Sequence, residues 1–514
     1  MPLSWQGRKI QLKRGLKIKD VLTFNISRAV KWQETTLKKL VFRAKDTEFG
    51  SKYGFDDILI APNIAQGFRN NVPISGYSDM HPYWLRAYKG EKDITWPGTI
   101  KHFALSSGTS EGSSKYIPIS SVQLKSIIRG SRRQMLSIIN SDIPKDFLTK
   151  DYLMVGGSTT LQFDGTAYSG DLSGITTQNV PQWFDRYSQP SPEIRAISNW
   201  HEKMEAMLEV AHTWDVVMIA GVPAWIKILI EKLLEKHQLN NIHELWPNFS
   251  VYLWGGVALS PYKKGIESML GKEVRFYETY LASEGFIAFQ TKIDSQGMRL
   301  VFRNNIYYEF VPFNAANFNS DGEINKSAEV IDLADVEEGV DYAILISTGG
   351  GAWRYVIGDT IKFVHKENCE IKITGRTKHF LSICGEHLSV ENMTQALQLC
   401  AHNLNLAFTE FTVRGRKFED GELGHEWFIA CNKKVEDVVE IENQLNAKLS
   451  ELNDDYSVER QHALKHLKVN VLPEEVFINW MEKHEKIGAQ NKFPRVLSDA
   501  LYEDWNQFVK EYRK

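Results

Sequence analysis

The chain has 514 residues, 43% of them hydrophobic and 24% charged, as in soluble globular proteins with material for a large core. At about 150 residues per domain, this length implies roughly three units. Its 61 basic and 64 acidic residues leave a net charge of -3, which gives no electrostatic reason to expect nucleic acid or an anionic membrane as partner.

The basic start, "MPLSWQGRKIQLKRGLKIKD", has no continuous apolar stretch and does not read as a secretory signal. No run reaches the ~18 apolar residues of a membrane-spanning helix. Cys369, Cys384, Cys400 and Cys431 form no C-x-x-C pair. Reduced thiols in a cytoplasm are expected, not a disulfide framework or a zinc site.

Apolar positions recur at helical spacing over about 26–45. Next comes "ALSSGTSEGSSKYIPIS", rich in serine and glycine ahead of the single basic Lys115. "SSVQLKSIIRGSRRQMLSIIN" then reads as a helix: Leu124, Ile127, Ile128, Met135 and Ile139 share a face, and Ser120 or Ser121 can cap it. The Ser/Gly stretch is therefore expected to end at a helix, unlike a linker between domains. Its glycines let backbone N–H groups converge on phosphate oxygens, and its lysine neutralises charge. The spacing G-x-x-x-G-x-x-K, from Gly108 to Lys115, departs from the P-loop pattern. Read alone, the stretch suits a surface turn as well.

Strand and helix then alternate. "DVVMIAG" reads as a buried strand, "PAWIKILIEKLLEKHQ" as a helix with Pro223 near its start, "SVYLWGG" as a strand, "SPYKKGIESML" as a helix and "VRFYETY" as a strand. This order predicts a parallel α/β sheet, with ligands at the carboxyl ends of its strands. From 298 to 364 the short strands "MRLVFR", "IYYEFVPF", "YAILIST" and "IKFV" predict a β-rich part, as a small barrel or side sheet. Beyond "EIKITGRTKHF", a helix near 390–400, two strands, a helix near 435–452 and the strand "LKVNVL" predict a separate small α/β module, with a hinge near 376–380. The expected fold class is α/β: a large multi-layered N-terminal domain with parallel sheets plus a β-rich subdomain, 1–376, and a smaller mobile C-terminal α/β domain, 377–514.

Three further segments carry candidate chemistry. In "FYETYLASEGF", Glu284 follows a strand end, where a carboxylate can hold Mg²⁺ against a phosphate chain or be a solvated loop glutamate. In "AWRYVIGDTIKF", Asp359 follows Gly358, where it can accept both ribose hydroxyls or be an ordinary turn aspartate. "LWGGVALSPY" places Gly255 and Gly256 just past a strand, where a flat ring can approach the backbone or the chain can simply turn tightly.

Taken together, "SSGTSEGSSK", "TYLASEG", "RYVIGD" and "GRTKHFLSICGEHLS" stand in the order and spacing of the adenylate-forming, firefly luciferase-like superfamily. The wording resembles the Gretchen Hagen acyl-acid amido synthetases of auxin conjugation, in a bacterial-type form. "YYEFVP" and "IGAQNKFPR" support that narrower resemblance, which spans about 41–495. It implies that Ser106, Ser107, Gly108, Thr109, Ser110, Gly112 and Lys115 form a phosphate loop. It implies that Tyr280 lies against adenine, with Gly255, Gly256 and Val257 lining the other side. Asp359 would bind the ribose hydroxyls with help from Arg376, Glu284 would coordinate Mg²⁺, and Lys492 would arrive from the mobile small domain. Two departures lie near the reacting groups: Ser114 stands where plant members often carry arginine, and Leu281 interrupts the run before Ser283 and Glu284.

The implied function is that of an ATP-dependent ligase, which makes an acyl-adenylate from a carboxylic acid and passes the acyl group to an amino acid. The implied partners are these small molecules, ATP and Mg²⁺, with neither nucleic acid nor membrane. A coenzyme A ligase sharing the first step and a non-catalytic nucleotide-binding protein are the alternatives. The sequence does not determine the acid, the amino acid or the oligomeric state. The acid pocket is expected to be built partly by the helix 122–139, whose Arg132 and Arg133 face either substrate or solvent.

Overall fold

The computed structural model describes residues 24–106, 115–139, 143, 146–179, 185–293, 295–319, 322–325, 327–377, 381, 383, 386, 388–431, 433, 435, 437–453, 456–457, 459–460, 464–484 and 493–513. Helices α1 (Ile26–Ala44), α2 (Glu48–Lys52), α3 (Phe55–Ile60), α4 (Ile64–Asn71) and α5 (Tyr77–Tyr88) precede a hairpin of β1 (His102–Ser106) and β2 (Lys115–Ile119). Helix α6 (Ser121–Ile139) follows, then β3 (Asp151–Val155), β4 (Gln162–Phe163), β5 (Tyr168–Gly170), α7 (Leu172–Thr177), β6 (Ser188–Gln189), α8 (Pro192–Ala196) and α9 (Trp200–Val210). The alternating part runs β7 (Val216–Gly221), α10 (Pro223–His237), β8 (Val251–Gly255), α11 (Ser260–Ser268) and β9 (Arg275–Ala282). Strands β10 (Gly285–Phe289), β11 (Met298–Leu300), β12 (Ile306–Pro312), β13 (Asp341–Thr348), β14 (Tyr355–His365) and β15 (Glu370–Arg376) come next. The remainder is α12 (Val390–Asn403), β16 (Phe408–Lys417), β17 (Leu423–Cys431), α13 (Val438–Leu452), β18 (Leu464–Leu472), α14 (Glu474–Lys483) and α15 (Asp499–Tyr512).

Among the described residues, eleven strands form one sheet in the order β12-β13-β14-β15-β11-β10-β9-β8-β7-β3-β6. Strands β6, β3, β7, β8 and β9 run parallel, as the alternating segment predicts. Both faces of this half are covered, which explains its near-continuous apolar strands. Ile219 and Tyr252 join Trp225, Ile226 and Leu229 of α10 on one face. On the other, Tyr152, Met218, Val251 and Tyr277 join Ile138 of α6.

The β-rich segment forms neither a barrel nor a side sheet. The chain reverses after Ala282, and β10 pairs antiparallel with β9; β11, β15, β14, β13 and β12 then extend the same sheet. Helices α1 to α5 supply much of the core that covers this half. A three-stranded sheet, β16-β17-β18, is built from the residues after Arg376 in the expected helix–strand–strand–helix–strand order. Two further helices, α14 and α15, lie beyond that reading. Their Phe477, Trp480 and Trp505 join the same apolar cluster as Trp225 and Tyr252, so the small C-terminal part seats on α10 and α11 through buried aromatic rings.

One buried ionic group anchors the antiparallel half. Glu309 on β12 accepts from Arg354 Nε at 3.0 Å and from Arg69 Nε at 3.2 Å, and Arg354 Nη1 donates to the Val72 carbonyl at 2.8 Å. The side chains of Glu309 and Arg354 are 1% and 5% exposed. Removing one partner strands a buried charge. Glu309→Ala should therefore cost about 3–5 kcal/mol, read as a lowered denaturant midpoint. A loss below about 1 kcal/mol would place this pair with ordinary surface ion pairs.

Cys369, Cys400 and Cys431 are free and buried, while Cys384 lies outside the described residues. Among the described residues, no helix is long and apolar enough to cross a membrane.

Candidate active site

A cavity of about 1460 Å³ opens at the carboxyl ends of the parallel strands, between the large sheet and the C-terminal part. Lys115, Gly255, Gly256, Val257, Tyr280, Glu284, Asp359 and Arg376 all line it, though they are spread over more than 250 residues of sequence. Ser107, Gly108, Thr109, Ser110, Gly112 and Lys492 lie outside the described residues.

The Ser/Gly stretch ends at helix α6 as expected, but its last part is a strand. Ser106 closes β1 and pairs with Lys115, which opens β2, so residues 107–114 connect the strands of a hairpin. The short strand "KYIPI" escapes a sequence reading because Pro118 lies in it and the helical pattern begins just beyond. Lys115 Nζ sits 5.3 Å from the centroid of the Tyr77 ring on α5, a cation–π contact, and the Tyr77 hydroxyl accepts from the Tyr116 amide at 3.0 Å.

Asp359 is not a turn residue. It lies inside β14, paired in register with Arg376 on β15. What reads as a turn is Gly358 at φ +91, within a register shift in the pairing of β13 with β14. The Asp359 carboxylate is held on both oxygens: Tyr280 donates its hydroxyl to Oδ2 at 2.6 Å, and Arg376 Nε stands 3.1 Å from Oδ1. A carboxylate offers about four lone-pair directions, so these contacts orient Asp359 and leave acceptor capacity for a ligand. Burial, followed by the Asp359 charge, raises the Tyr280 hydroxyl well above its usual pKa and keeps it a donor.

Glu284 is not a solvated loop residue. Ser283 and Glu284 form the turn between β9 and β10, where Ala282 pairs with Gly285. The Gln123 side-chain amide, in the first turn of α6, donates to the Glu284 carbonyl. Ser120 Oγ accepts from the Gln123 amide at 3.1 Å, so the expected serine cap also fixes this contact. Glu284 is only 9% exposed. Burial first, then the Asp359 charge, pushes its carboxyl up to about 7, against the opposing pull of Arg376 and Lys115.

Gly255 has a structural reason to be glycine. A β-carbon there would lie 2.3 Å from the Thr279 carbonyl oxygen on β9. Gly256 takes φ +83, which lets the chain leave β8 toward α11. Of the two arginines on α6, Arg132 lines the cavity, while Arg133 donates to the Phe302 carbonyl instead.

Sequence reasoning missed Glu278. It precedes Tyr280 by two residues on β9, lines the cavity, and has its carboxyl pushed up to about 7 by burial, with Lys372 pulling it down. The period of two in a strand, which puts Glu278 on the same face as Tyr280, was the available signal. Also missed were contacts at the cavity rim that join the two parts of the chain. Tyr262 donates to Glu410 Oε2 at 3.2 Å, Glu410 pairs with Arg495, and Lys372 pairs with Glu391.

A mixed sheet with a small module over the carboxyl ends of its parallel strands is the fold that adenylate-forming enzymes share. The 2-hydroxyisobutyryl-CoA ligase in its postadenylation state has this fold: TM-score 0.61 at 13% identity, over 94% of this chain and 93% of that one. The GH3.15 acyl acid amido synthetase superposes with a TM-score of 0.77 at 18% identity, over 94% of this chain and 93% of that one. The chain matches the GH3 family N-terminal domain over residues 19–162 and 158–274, the central domain over 299–376 and the C-terminal domain over 391–500. It belongs to the GH3 family. Relatives include a jasmonoyl–L-amino acid synthetase of Nicotiana attenuata, 24% identical over 75% of this chain and 76% of the relative. A putative indole-3-acetic acid-amido synthetase of Oryza sativa subsp. japonica is 23% identical over 78% of this chain and 89% of the relative.

Proposed function

We propose that this chain is an ATP-dependent acyl-acid amido synthetase. The observation that carries the reading is the convergence of Lys115, Tyr280, Glu284, Asp359 and Arg376 on one cavity. The named activities of the GH3 relatives supply the acceptor class. In the first step, a carboxylate oxygen of the acid attacks the α-phosphorus of ATP and pyrophosphate leaves. In the second, the amine of an amino acid attacks the acyl carbonyl. AMP leaves with the bonding pair, and the nitrogen loses its proton to the surroundings.

Asp359, oriented by Tyr280 and Arg376, would accept the ribose hydroxyls. Tyr280 and the backbone of Gly255, Gly256 and Val257 would flank adenine. Ser106, Ser107, Gly108, Thr109, Ser110 and Gly112 would surround the phosphates, with Lys115 neutralising charge that develops in transfer. The residues also fit a divalent cation, since the carboxylates of Glu284 and Asp359 line the same cavity and oxygen donors suit such an ion. Glu284 would hold Mg²⁺, which supplies positive charge against the phosphate chain when bound.

Residues 1–376 and 377–514 would act as the large and the mobile small domain, with Lys492 brought to the acyl phosphate by the latter. Two observations support this. Phe493, Pro494 and Arg495, which follow Lys492 directly, line the cavity. β16 also pins them there: the Val413 amide donates to the Arg495 carbonyl at 2.9 Å. A closed site keeps water from the acyl-adenylate.

The deciding experiment supplies ATP, Mg²⁺, an acid panel, mixed amino acids and coenzyme A to the full chain, with products read by mass spectrometry. An N-acyl amino acid is expected. A coenzyme A thioester as the main product would overturn the amide reading and leave the adenylation chemistry standing.

A further inference from the structure

The parallel strands show where the acid goes and what kind it is. Residues at matching register point to one face of the sheet, the face that α6 covers. Met154 on β3 pairs with Ala220 on β7, Ala220 with Leu253 on β8, and Leu253 with Tyr277 on β9. Tyr277 belongs to the apolar cluster beneath α6, which fixes this row on the α6 face. Gln134 of α6 confirms the side by donating to Thr279 Oγ1 at 2.6 Å. Met154, Ala220 and Leu253 line the cavity, and Ile128 and Met135 of α6 line it from across, with Leu172 of α7.

This branch of the cavity is a slot. Its inner end lies beside β9, near the Glu284 turn that Gln123 of α6 holds. Its outer end lies at Met154, which is 39% exposed. At ~4.8 Å between neighbouring strands, the slot runs roughly 14 Å from β9 to β3. Its middle is floored by a methyl group, Ala220. Its floor and facing wall, Met154, Ala220, Leu253, Ile128, Met135 and Leu172, are thioethers and aliphatics; Ser131, Arg132 and Thr176 add polar groups to the same cavity, and one ring, Phe286, stands against Gly130 of α6. The aromatic rings Trp254 and Tyr280 sit on strand positions that face the other way, as Trp254 shows by joining the α10 and α11 cluster. Flat acids are gripped by stacked or edge-on rings. Methionines instead mould around a flexible chain.

We propose that the acid activated by this protein is a flexible, unbranched aliphatic carboxylic acid of medium chain length, its tail laid along the Met154–Ala220–Leu253 row. This rests on the synthetase reading, since it takes the adenylation centre as the place where the carboxylate lies.

The test is steady-state pyrophosphate release by the full chain with ATP, Mg²⁺ and mixed amino acids. The panel holds butyrate, octanoate, decanoate, phenylacetate, benzoate and indole-3-acetate. Octanoate or decanoate should exceed butyrate and each ring acid in kcat/KM by about tenfold or more, as expected for methylenes buried at ~0.8 kcal/mol each. Ala220→Phe, which fills the middle of the slot, should lower the decanoate-to-butyrate ratio at least tenfold. Met154→Trp, at an exposed position that spares the fold, should shift the preferred length without abolishing release. A ring acid preferred over both longer chains overturns the proposal, as does an unchanged ratio in both variants or release from none of the aliphatic acids. Product analysis separates the two readings. Decanoate consumed without amide formation removes the amide reading and keeps the slot. Amide formed from ring acids alone removes the slot and keeps the amide reading.

Discussion

Glu284→Gln should lower pyrophosphate release at saturating ATP by about 100-fold or more, because a cation against transferring phosphate is worth several kcal/mol and each ~1.4 kcal/mol is tenfold in rate. The substitution keeps the size of the side chain. It also keeps the backbone carbonyl that Gln123 grips, so the turn between β9 and β10 should survive. pH gives a second readout. Burial and the Asp359 charge hold the Glu284 proton up to about 7 in the absence of metal. Binding a cation expels that proton, so apparent Mg²⁺ affinity should fall as pH drops below 7, by roughly tenfold per unit for one displaced proton. Glutamine has no such proton, so its residual activity should lose this dependence. The sign for stability is the reverse. The folded protein keeps a proton that the unfolded chain releases at the ordinary value of 4.5, so this group stabilises below 4.5 and loses that contribution as pH rises through 7. Added Mg²⁺ should restore part of the loss at pH 8. Wild-type rates with wild-type metal dependence in Glu284→Gln would remove Glu284 from the metal role.

The sequence exposed those parts of the fold whose cause is local. β7, α10, β8, α11 and β9 were legible because buried parallel strands are short apolar runs and Pro223 sits at the start of its helix. Continuity of the sheet was not legible: nothing in "MRLVFR" or "IYYEFVPF" says that these strands extend an existing edge instead of closing on themselves. Helices α14 and α15 carry aromatic residues at helical spacing, Phe477 with Trp480 and Tyr502 with Trp505. The pattern was present, but the partner surface on α10 and α11 lies more than 200 residues away. At the site, the sequence favoured a turn for Asp359 and solvent for Glu284 when each was read alone. Only the ordered set of motifs raised them to ligand-binding groups. The structure explains both errors. Gly358 bends a strand that continues through Asp359, and the Glu284 turn is buried by α6. A single sequence cannot show that a two-residue turn lies under a helix whose Gln123 precedes Glu284 by 161 positions.

Asp359→Ala should weaken ATP binding strongly, and the size of the loss depends on what the carboxylate does in the free protein. Each charge-assisted hydrogen bond to a ribose hydroxyl is worth roughly 1.5–3 kcal/mol, so losing two predicts an affinity loss of about 100-fold or more. The same substitution also removes the acceptor of Tyr280 and the counter-charge of Arg376. That leaves Tyr280, buried against β14, without its hydroxyl partner, and some loss of stability follows whether or not nucleotide binds. The two effects separate with Asp359→Asn. An asparagine carbonyl can still accept from Tyr280, but it brings no charge to Arg376 or to the ribose. The asparagine variant should thus recover most of the thermal midpoint lost in the alanine variant and remain at least tenfold weaker than wild type for ATP by titration. Tyr280→Phe makes the complementary test: it removes the hydroxyl that orients Asp359 while sparing the charge, so its ATP affinity should fall less than that of either Asp359 variant. Equal ATP affinity in wild type and Asp359→Ala would reduce the Tyr280–Asp359–Arg376 cluster to a clasp between β9, β14 and β15, and the nucleotide would need another anchor.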